Sequence, residues 1–413
     1  MLKKNIKKKS SFNFICIICA CLIPLLVTGP FLPDLVVSLL SLWFLFYSLK
    51  NKIYAIYKNY YFYTFISFCL ICILSSLLSD NVIFSLKNSL FYFRIGIFAL
   101  LISYLIDQNK KILEYFYYAF LITFAALIVD GYFQYITGSN LFGYKITPTR
   151  VSSFFGNELI LGSYLARLYP LFFALFLLRD KKNPLEIYII FILSILIYVL
   201  IFLAGERASF VLFNLSIFFI IFFVTQHKWL RLFFLLISFV IVSCLIIKKP
   251  ELYQRYIHST FSDKFSETKN SQKIIFSKAH DSIMESAWKM FVDKPILGHG
   301  PKLFRIKCQD PKYYINVYSC STHPHNFYIQ LLAETGILGF SFLVGLLFYF
   351  LYLMMRHVLE YFIYKRSLFS DYQICLLAGL LITIWPVTTN GNFFSNYLML
   401  FYSLQMGFFK KNL

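Results

Sequence analysis

Long apolar runs separated by short basic or polar connections repeat along almost the whole chain. They lie near residues 12–28, 31–49, 60–79, 83–106, 113–136, 156–178, 184–204, 208–225, 229–247, 326–355, 370–388 and 392–409. As helices they have the reach to cross a hydrocarbon core of about 30 Å. Lipid offers the backbone no partner, so such runs satisfy their own hydrogen bonds as helices. The pattern predicts twelve transmembrane helices. The first is not expected to be a cleaved signal peptide, because no Ala-x-Ala-like site follows it and a second run begins within a few residues.

Residues 248–325 break the pattern. Phe276, Ala279, Ile283, Ala287 and Met290 recur there at spacings of three and four, which predicts an amphipathic helix. Asp293-Lys-Pro295 should end it, and Gly298-His-Gly300 should then make a turn. The expected organisation is therefore nine spans in 1–247, a helical cap in 248–325, and three spans in 326–413.

Composition agrees with a membrane protein: 59% of residues are apolar and 14% charged, against about 25% charged in soluble domains. The net charge of +20 is explained by its distribution. With the N-terminus cytoplasmic, alternate connections carry Lys50/Lys52/Lys58, Lys110/Lys111, Arg179/Lys181/Lys182, Lys228/Arg231, Arg356/Lys365/Arg366 and Lys410/Lys411. The short connections on the other side carry only Lys87, Lys145, Arg150 and Arg207. This asymmetry predicts both termini in the cytoplasm and the cap outside. Basic residues scattered over loops face anionic lipid headgroups, and they form no single face of the kind nucleic acid requires.

Seven of the nine cysteines fall inside apolar runs, where a thiol serves as a small apolar side chain. Cys308 and Cys320 fall in the cap. In an oxidising compartment they are expected to form a disulfide, the alternative being two unpaired loop thiols.

The densest polar cluster stands at the start of the tenth run, Ser321-Thr-His-Pro-His-Asn326. A neutral imidazole at His325 could take a proton from a hydroxyl brought to the membrane surface. Pro324 biases His323 toward an extended geometry, and Asn326 is a good helix-capping residue. The plainer reading is a polar helix cap at the interface. His323 and His325 could also share a metal, but no acid lies close by and none is expected.

Arg207, in Ala204-Gly-Glu-Arg-Ala-Ser209, suits a diphosphate, since a guanidinium forks onto two oxygens at once. Pairing with Glu206 or snorkelling to the interface are the alternatives. Arg150 offers a second cation on the same side. Arg94 and Arg167 fall within apolar runs, where a cation tends to face a cavity or a partner; Asp130 and Glu158 are candidate partners. With its run starting near 156, Arg167 should lie about three turns below the helix start. The abundant Phe and Tyr read as packing and interfacial aromatics. No nucleotide-binding loop, dinucleotide fingerprint, HExxH or nucleophile elbow is present.

The tenth run resembles the O-antigen ligase and polymerase superfamily of bacterial inner-membrane glycosyltransferases. That family's signature is His followed by Asn, Ser or Gln, nine residues, then Gly-x-x-Gly. It is met here by His325-Asn326, Phe327 to Thr335, and Gly336-Ile-Leu-Gly339. Phe340 stands where ligases often carry Gly, Thr or Tyr. Glu206-Arg207-Ala-Ser209 is similar to the family's Ser-Arg segment, with Glu for Ser. Arg150 to Tyr169 is similar to its Arg-x-x-Gly region, with Ser153 for Gly. Pro295-Ile-Leu-Gly-His-Gly300 is similar to its Pro-x-x-Gly-x-Gly turn. His280 stands where an arginine commonly begins the preceding helix.

The resemblance implies an all-α, GT-C-like integral membrane protein of the Gram-negative inner membrane, with its site facing the periplasm. It implies transfer of a glycan from undecaprenyl diphosphate to the lipid A–core acceptor, as in lipopolysaccharide biosynthesis, with no cofactor or metal. His325 would activate or orient the acceptor hydroxyl, with His323 and Asn326 around it. Arg207 and, more weakly, Arg150 would hold the diphosphate. Attack should invert the anomeric carbon, because no carboxylate is placed as a nucleophile. The alternatives are a polymerase extending lipid-linked glycan and, in a different class, a lipid-linked oligosaccharide transporter. A transporter should show repeat symmetry between its halves, and nine spans before the cap against three after it show none.

Overall fold

The computed structural model describes residues 2–179, 183–259 and 277–409, with side chains from Phe12 onward. The first half of the chain folds as α1 (Leu2–Leu25), α2 (Phe31–Lys50), α3 (Tyr60–Leu77), α4 (Val82–Ser89), α5 (Phe93–Gln108) and α6 (Lys111–Thr137). A loop then leads to α7 (Leu161–Leu177), α8 (Pro184–Leu203), α9 (Arg207–Phe223) and α10 (Lys228–Lys248). The cap segment contributes α11 (Lys278–Asp293), and the chain ends in α12 (Phe327–Ile363), α13 (Asp371–Thr383) and α14 (Asn396–Phe408). Among the described residues the extended pairings are isolated bridges, Ser139 with Lys145 and Thr147 with Arg150.

Among the described residues, seven helices are long and apolar enough to cross a membrane: α2, α3, α4 and α5 taken together, α6, α8, α10 and α12. The protein is an all-α membrane protein. Two shorter helices occupy its interior. Every residue of α7 except Ser163 is buried, and so is every residue of α13 except Asp371. A helix that is apolar all round belongs inside. These two pack against each other, and α13 also packs on α9. By contrast α2 turns Leu35, Leu39, Leu42 and Phe46 outward, and α10 turns Phe233, Leu236 and Phe239 outward.

The helix ends differ from the expected ones at four places, each with a local cause. The run near 83–106 is broken at Leu90–Tyr92 into α4 and α5. The tenth helix continues to Ile363 and is broken at Gly336, whose φ is 63°. The eleventh and twelfth runs are shorter than expected, because Pro386 and the Asn390-Gly-Asn392 triplet leave residues 384–395 irregular. The helix of the sixth run, α7, starts at Leu161 instead of 156. The loop before it is held by side chains of α6: Gln134 Oε1 accepts from Ser152 and Ser153 N–H, and Asp130 accepts from Leu141 N–H and Ser153 Oγ. Arg167 is consequently less than two turns below the helix start, where the sequence predicted three. Asp130 is occupied by this loop and partners neither arginine. The carboxylate paired with Arg94 is Asp34, at 2.6 Å.

The predicted cap helix is present from Lys278 to Asp293; Phe276 lies outside the described residues. Ser277 caps it, accepting from His280 N–H at 3.3 Å. Its Ile283, Ala287 and Met290 are buried with Phe304, Cys308, Tyr313 and Ala333 in a small core of their own. Cys308 and Cys320 are joined as a disulfide beside that core, with Cα atoms 5.2 Å apart.

The Pro295–Gly300 turn seats this core on the bundle through the break in α12. Gly336 in the left-handed region frees the carbonyls of Ala333 and Glu334. They accept from His299 N–H at 3.0 Å and Gly300 N–H at 2.8 Å. In return Ile337 N–H donates to Pro295 O at 2.8 Å. The two backbones come so close that a Cβ on Gly298 would sit 2.5 Å from Glu334 C, and one on Gly336 would sit 2.3 Å from Ile296 O. The two glycine motifs of the sequence are thus the two faces of one joint.

Candidate functional site

The joint leaves one face of α12 presenting Asn326, Gln330 and Glu334, which a four-residue spacing stacks on one stripe. Asn326 and Gln330 hold the segment 384–395, and Glu334 holds the cap. Asn326 caps the helix, its Oδ1 accepting from Tyr328 and Ile329 N–H, while its Nδ2 donates to Pro386 O at 2.8 Å and Thr388 O at 3.2 Å. Gln330 donates to Asn392 Oδ1 at 2.9 Å and accepts from Phe393 N–H at 2.8 Å. Glu334 is fully buried and accepts from Phe304 N–H at 3.0 Å and Gln330 Nε2 at 2.9 Å. The irregular 384–395 segment and the cap are both tied to the helix that starts after His325.

His325 sits at φ 59°, a left-handed conformation uncommon for histidine. Its carbonyl accepts from Asn390 N–H at 2.7 Å, and Asn390 O in turn lies 3.2 Å from His323 Nε2. The backbone of one residue, Asn390, therefore fixes both histidines. Their rings lie 4.1 Å apart, and the ring of His280 meets His325 edge-on at 5.1 Å. His280 is oriented by Ser277 Oγ, 2.8 Å from Nδ1. Ser321 Oγ lies 3.1 Å from His325 Nε2. With the proton on Nε2 and donated to Ser321, the Nδ1 lone pair of His325 has no hydrogen-bond partner among the described residues.

Burial keeps these imidazoles neutral. It pushes His325 down to about 4, with His280 adding to the effect. Burial together with His325 takes His323 down to about 3. His280 is lowered by burial as well, and the charge of Arg207 acts in the same direction.

Arg207 belongs to a basic cleft. Arg207 opens α9 and is exposed; together with Thr149, Glu251, Gln254, Arg255 and Ser259 it lines a cleft of about 200 Å³. Gly205 forms its inner edge. A Cβ there would meet Arg150 Cγ at 2.7 Å and Arg255 Nε at 2.9 Å, so two arginines converge on it. Arg255 Nε donates to Gly205 O at 2.7 Å. Arg150 donates to Ala204 O at 3.2 Å and to Leu159 O at 2.8 Å, which braces the loop between α6 and α7. Glu206 turns inward, accepting from Gly162 N–H at 2.7 Å and Ser209 Oγ at 3.0 Å, and burial raises its pKa.

Of the residues singled out from sequence, the structure brings His323, His325 and Asn326 together, and it places Arg207 in the basic cleft with Arg150 against Gly205. Arg167 approaches the histidines from within the bundle: it donates to Ser163 Oγ and, at 3.3 Å, to Asn390 Oδ1. Arg94 stands apart, bonded to Asp34 and to Phe91 O. His280, Arg255, Asn390 and Asn392 carry no motif of their own and were not singled out as site residues. The polar run Thr388-Thr-Asn-Gly-Asn392 between two apolar stretches was the signal available for the last two.

Arrangements of this kind can hold an anion in the cleft and present a neutral imidazole to a hydroxyl beside it. No curated protein matches the sequence. The model of the family described as O-antigen ligase matches residues 189–344, a stretch that runs from α8 into α12 and contains Arg207, Arg255, His280 and His325. This match supports membership of the O-antigen ligase superfamily, without separating ligase from polymerase.

Proposed function

We propose that the protein is an O-antigen ligase-type glycosyltransferase that moves a glycan from undecaprenyl diphosphate to the lipid A–core acceptor at the periplasmic face of a Gram-negative inner membrane. The observation that supports this reading is the cluster of three imidazoles, with His280 and His323 both packed against His325, together with a basic cleft whose Arg207 is near enough for its charge to be felt at His280. The cleft would take the donor diphosphate, with Arg207 and Arg255 as principal cations and Arg150 shaping the wall. His325 Nδ1 would accept the proton of the acceptor hydroxyl. That oxygen attacks the anomeric carbon, the bond from that carbon to the diphosphate oxygen breaks, and the leaving undecaprenyl diphosphate keeps the electron pair. Charge grows on the leaving diphosphate in the transition state, and fixed guanidinium groups stabilise it there. Direct displacement inverts the anomeric centre. His323 and Asn326 position His325, and no metal takes part.

The test is reconstitution with lipid-linked glycan donor and lipid A–core acceptor. Wild type should give banded glycan on the core, and Arg207→Ala should reduce the rate by about 100-fold or more. Full transfer by both Arg207→Ala and His325→Ala, each expressed normally, refutes this site. Long glycan accumulating on undecaprenyl diphosphate identifies a polymerase, and passage of intact donor across the bilayer without transfer identifies a transporter. Loss of activity in chelator, restored by a divalent ion, contradicts the metal-independent reading.

A further inference from the structure

The basic cleft and the histidines are both tied to one interior helix, α7. At its start the helix reaches the cleft. Gly162 N–H donates to Oε1 of Glu206, the residue before Arg207, at 2.7 Å, and Arg150 donates to Leu159 O, just ahead of the helix, at 2.8 Å. Further along, Arg167 reaches the histidines by donating to Asn390 Oδ1 at 3.3 Å. Asn390 N–H then holds His325 O at 2.7 Å, and Asn390 O lies 3.2 Å from His323 Nε2. A carbonyl cannot donate, so His323 carries its proton on Nε2, and its Nδ1 accepts from Thr322 Oγ1 at 2.9 Å.

Both ends of this link are buried, Arg167 being 4% exposed and Asn390 5%. Ser163, one turn earlier on α7, takes a second hydrogen bond from the guanidinium, and Gln405 of α14 donates to Arg167 O at 2.8 Å. The bond to Arg167 is the one hydrogen bond of the Asn390 side chain among the described residues, and its Nδ2 has no partner there. The anchors at Pro386, Thr388 and Asn392 come from α12, the helix that follows His325. They hold the irregular segment to the histidines' own helix, whereas Arg167 ties it to α7. An arginine within an apolar run is costly and is kept where it has a task.

We propose that Arg167 is a positioning residue for the transfer reaction: through the Asn390 side chain it sets His325 against the cleft that takes the donor diphosphate, with α7 as the shared support. This rests on the glycan-transfer reading. Misplacing a reacting group by about 1 Å can cost about 100-fold in rate. Neither Arg167 nor Asn390 is assigned a contact with donor or acceptor, so the loss on breaking the link belongs to kcat.

The experiment uses the full chain in nanodiscs, with kcat and KM measured for donor and acceptor separately. Asn390→Leu and Arg167→Gln should each lower kcat by about 10-fold or more, with both KM values within about threefold of wild type. The double variant should be no more than about threefold worse than the poorer single variant, because both changes remove the same link. Asn390→Asp keeps an oxygen facing the guanidinium and should recover most of the loss. If Asn390→Leu fails to fold, Asn390→Ala replaces it. Additive losses, an unchanged kcat in both single variants, or no recovery by Asn390→Asp overturns the positioning role. A raised KM at unchanged kcat overturns it too, by making these residues substrate contacts. A second readout does not depend on transfer. Diethyl pyrocarbonate acylates unprotonated imidazole nitrogens, and both nitrogens of His323 are engaged in the wild type. Mapped by mass spectrometry, His323 should react slowly relative to the exposed His258, and faster in Asn390→Leu and Arg167→Gln. Absence of transfer by wild type would refute the transferase reading itself. The link is then judged by the His323 rates: unchanged rates in both variants overturn it, and faster ones support it.

Discussion

His325 combines a left-handed backbone with a ring that faces substrate in the proposed reaction, and the two demands can be separated experimentally. Asparagine is among the few residues that enter the left-handed region readily. His325→Asn should therefore keep the chain path and the bond from Asn390 N–H to residue 325 O, while removing the base. Expected are a fall in transfer of about 100-fold or more and a melting midpoint within about 3 °C of wild type at neutral pH. His325→Ala, which lacks that backbone tolerance, should lose more stability for the same loss of chemistry.

The depressed pKa has its own signature. His325 stays neutral down to about 4, so kcat/KM should be level from about pH 8 to about pH 5 and fall only below that. An acid limb near 6.5 would show that burial does not control this imidazole. Stability moves in the same sense. Between about 6.5 and 4 the unfolded chain takes up a proton that the folded chain refuses, so stability is lost as pH falls through that window. His325→Asn should weaken this dependence. At this scale the sequence was legible where residues sat in a motif, as His325, Asn326 and Arg207 did. His280 and Asn390 act through neighbours far away in the chain, and single-sequence spacing carries no record of such contacts.

The break in α12 shows what the glycine spacing does physically. A helix with Gly336 at φ 63° cannot use its own carbonyls there, and the Pro295–Gly300 turn accepts and donates in place of the missing turn. Gly336→Ala adds a Cβ 2.3 Å from Ile296 O in a backbone region that alanine avoids. It should destabilise the protein by on the order of 3 kcal/mol or more and loosen the cap. Gly345→Ala, in the same helix with nothing within 4 Å of its Cβ, should be neutral or stabilising by up to about 1 kcal/mol. Thermal unfolding of the two variants side by side is the measurement, and equal midpoints would contradict the joint. That helices exist at these places followed from apolar run length. Their ends did not, because polar residues such as Asn390 and Asn392 interrupt a span only when another element supplies their partners, as Arg167 and His325 do for Asn390 and Gln330 does for Asn392.

At the scale of the whole molecule, the site lies where several helices end short of their neighbours. Helices α13 and α14 have 13 residues each, about 20 Å of helix, which is too little for a full hydrocarbon core. Residues 384–395 complete the path beside the histidines, with Thr388, Asn390, Phe393 and Phe394 buried against protein. The charge asymmetry of the short connections predicts that this end of the bundle faces outside, because the short connections at the opposite end are the more basic ones and cations are retained on the cytoplasmic face. The orientation can be tested with epitope tags inserted singly in two exposed loops, one near Phe142 and one near Asn51. In intact spheroplasts an antibody should reach the tag near Phe142, while the tag near Asn51 should appear only after the membrane is permeabilised. The reverse pattern would put His325 and the basic cleft in the cytoplasm, where a lipid-linked glycan presented on the outer leaflet could not reach them, and the transfer reaction proposed here would fail with the topology.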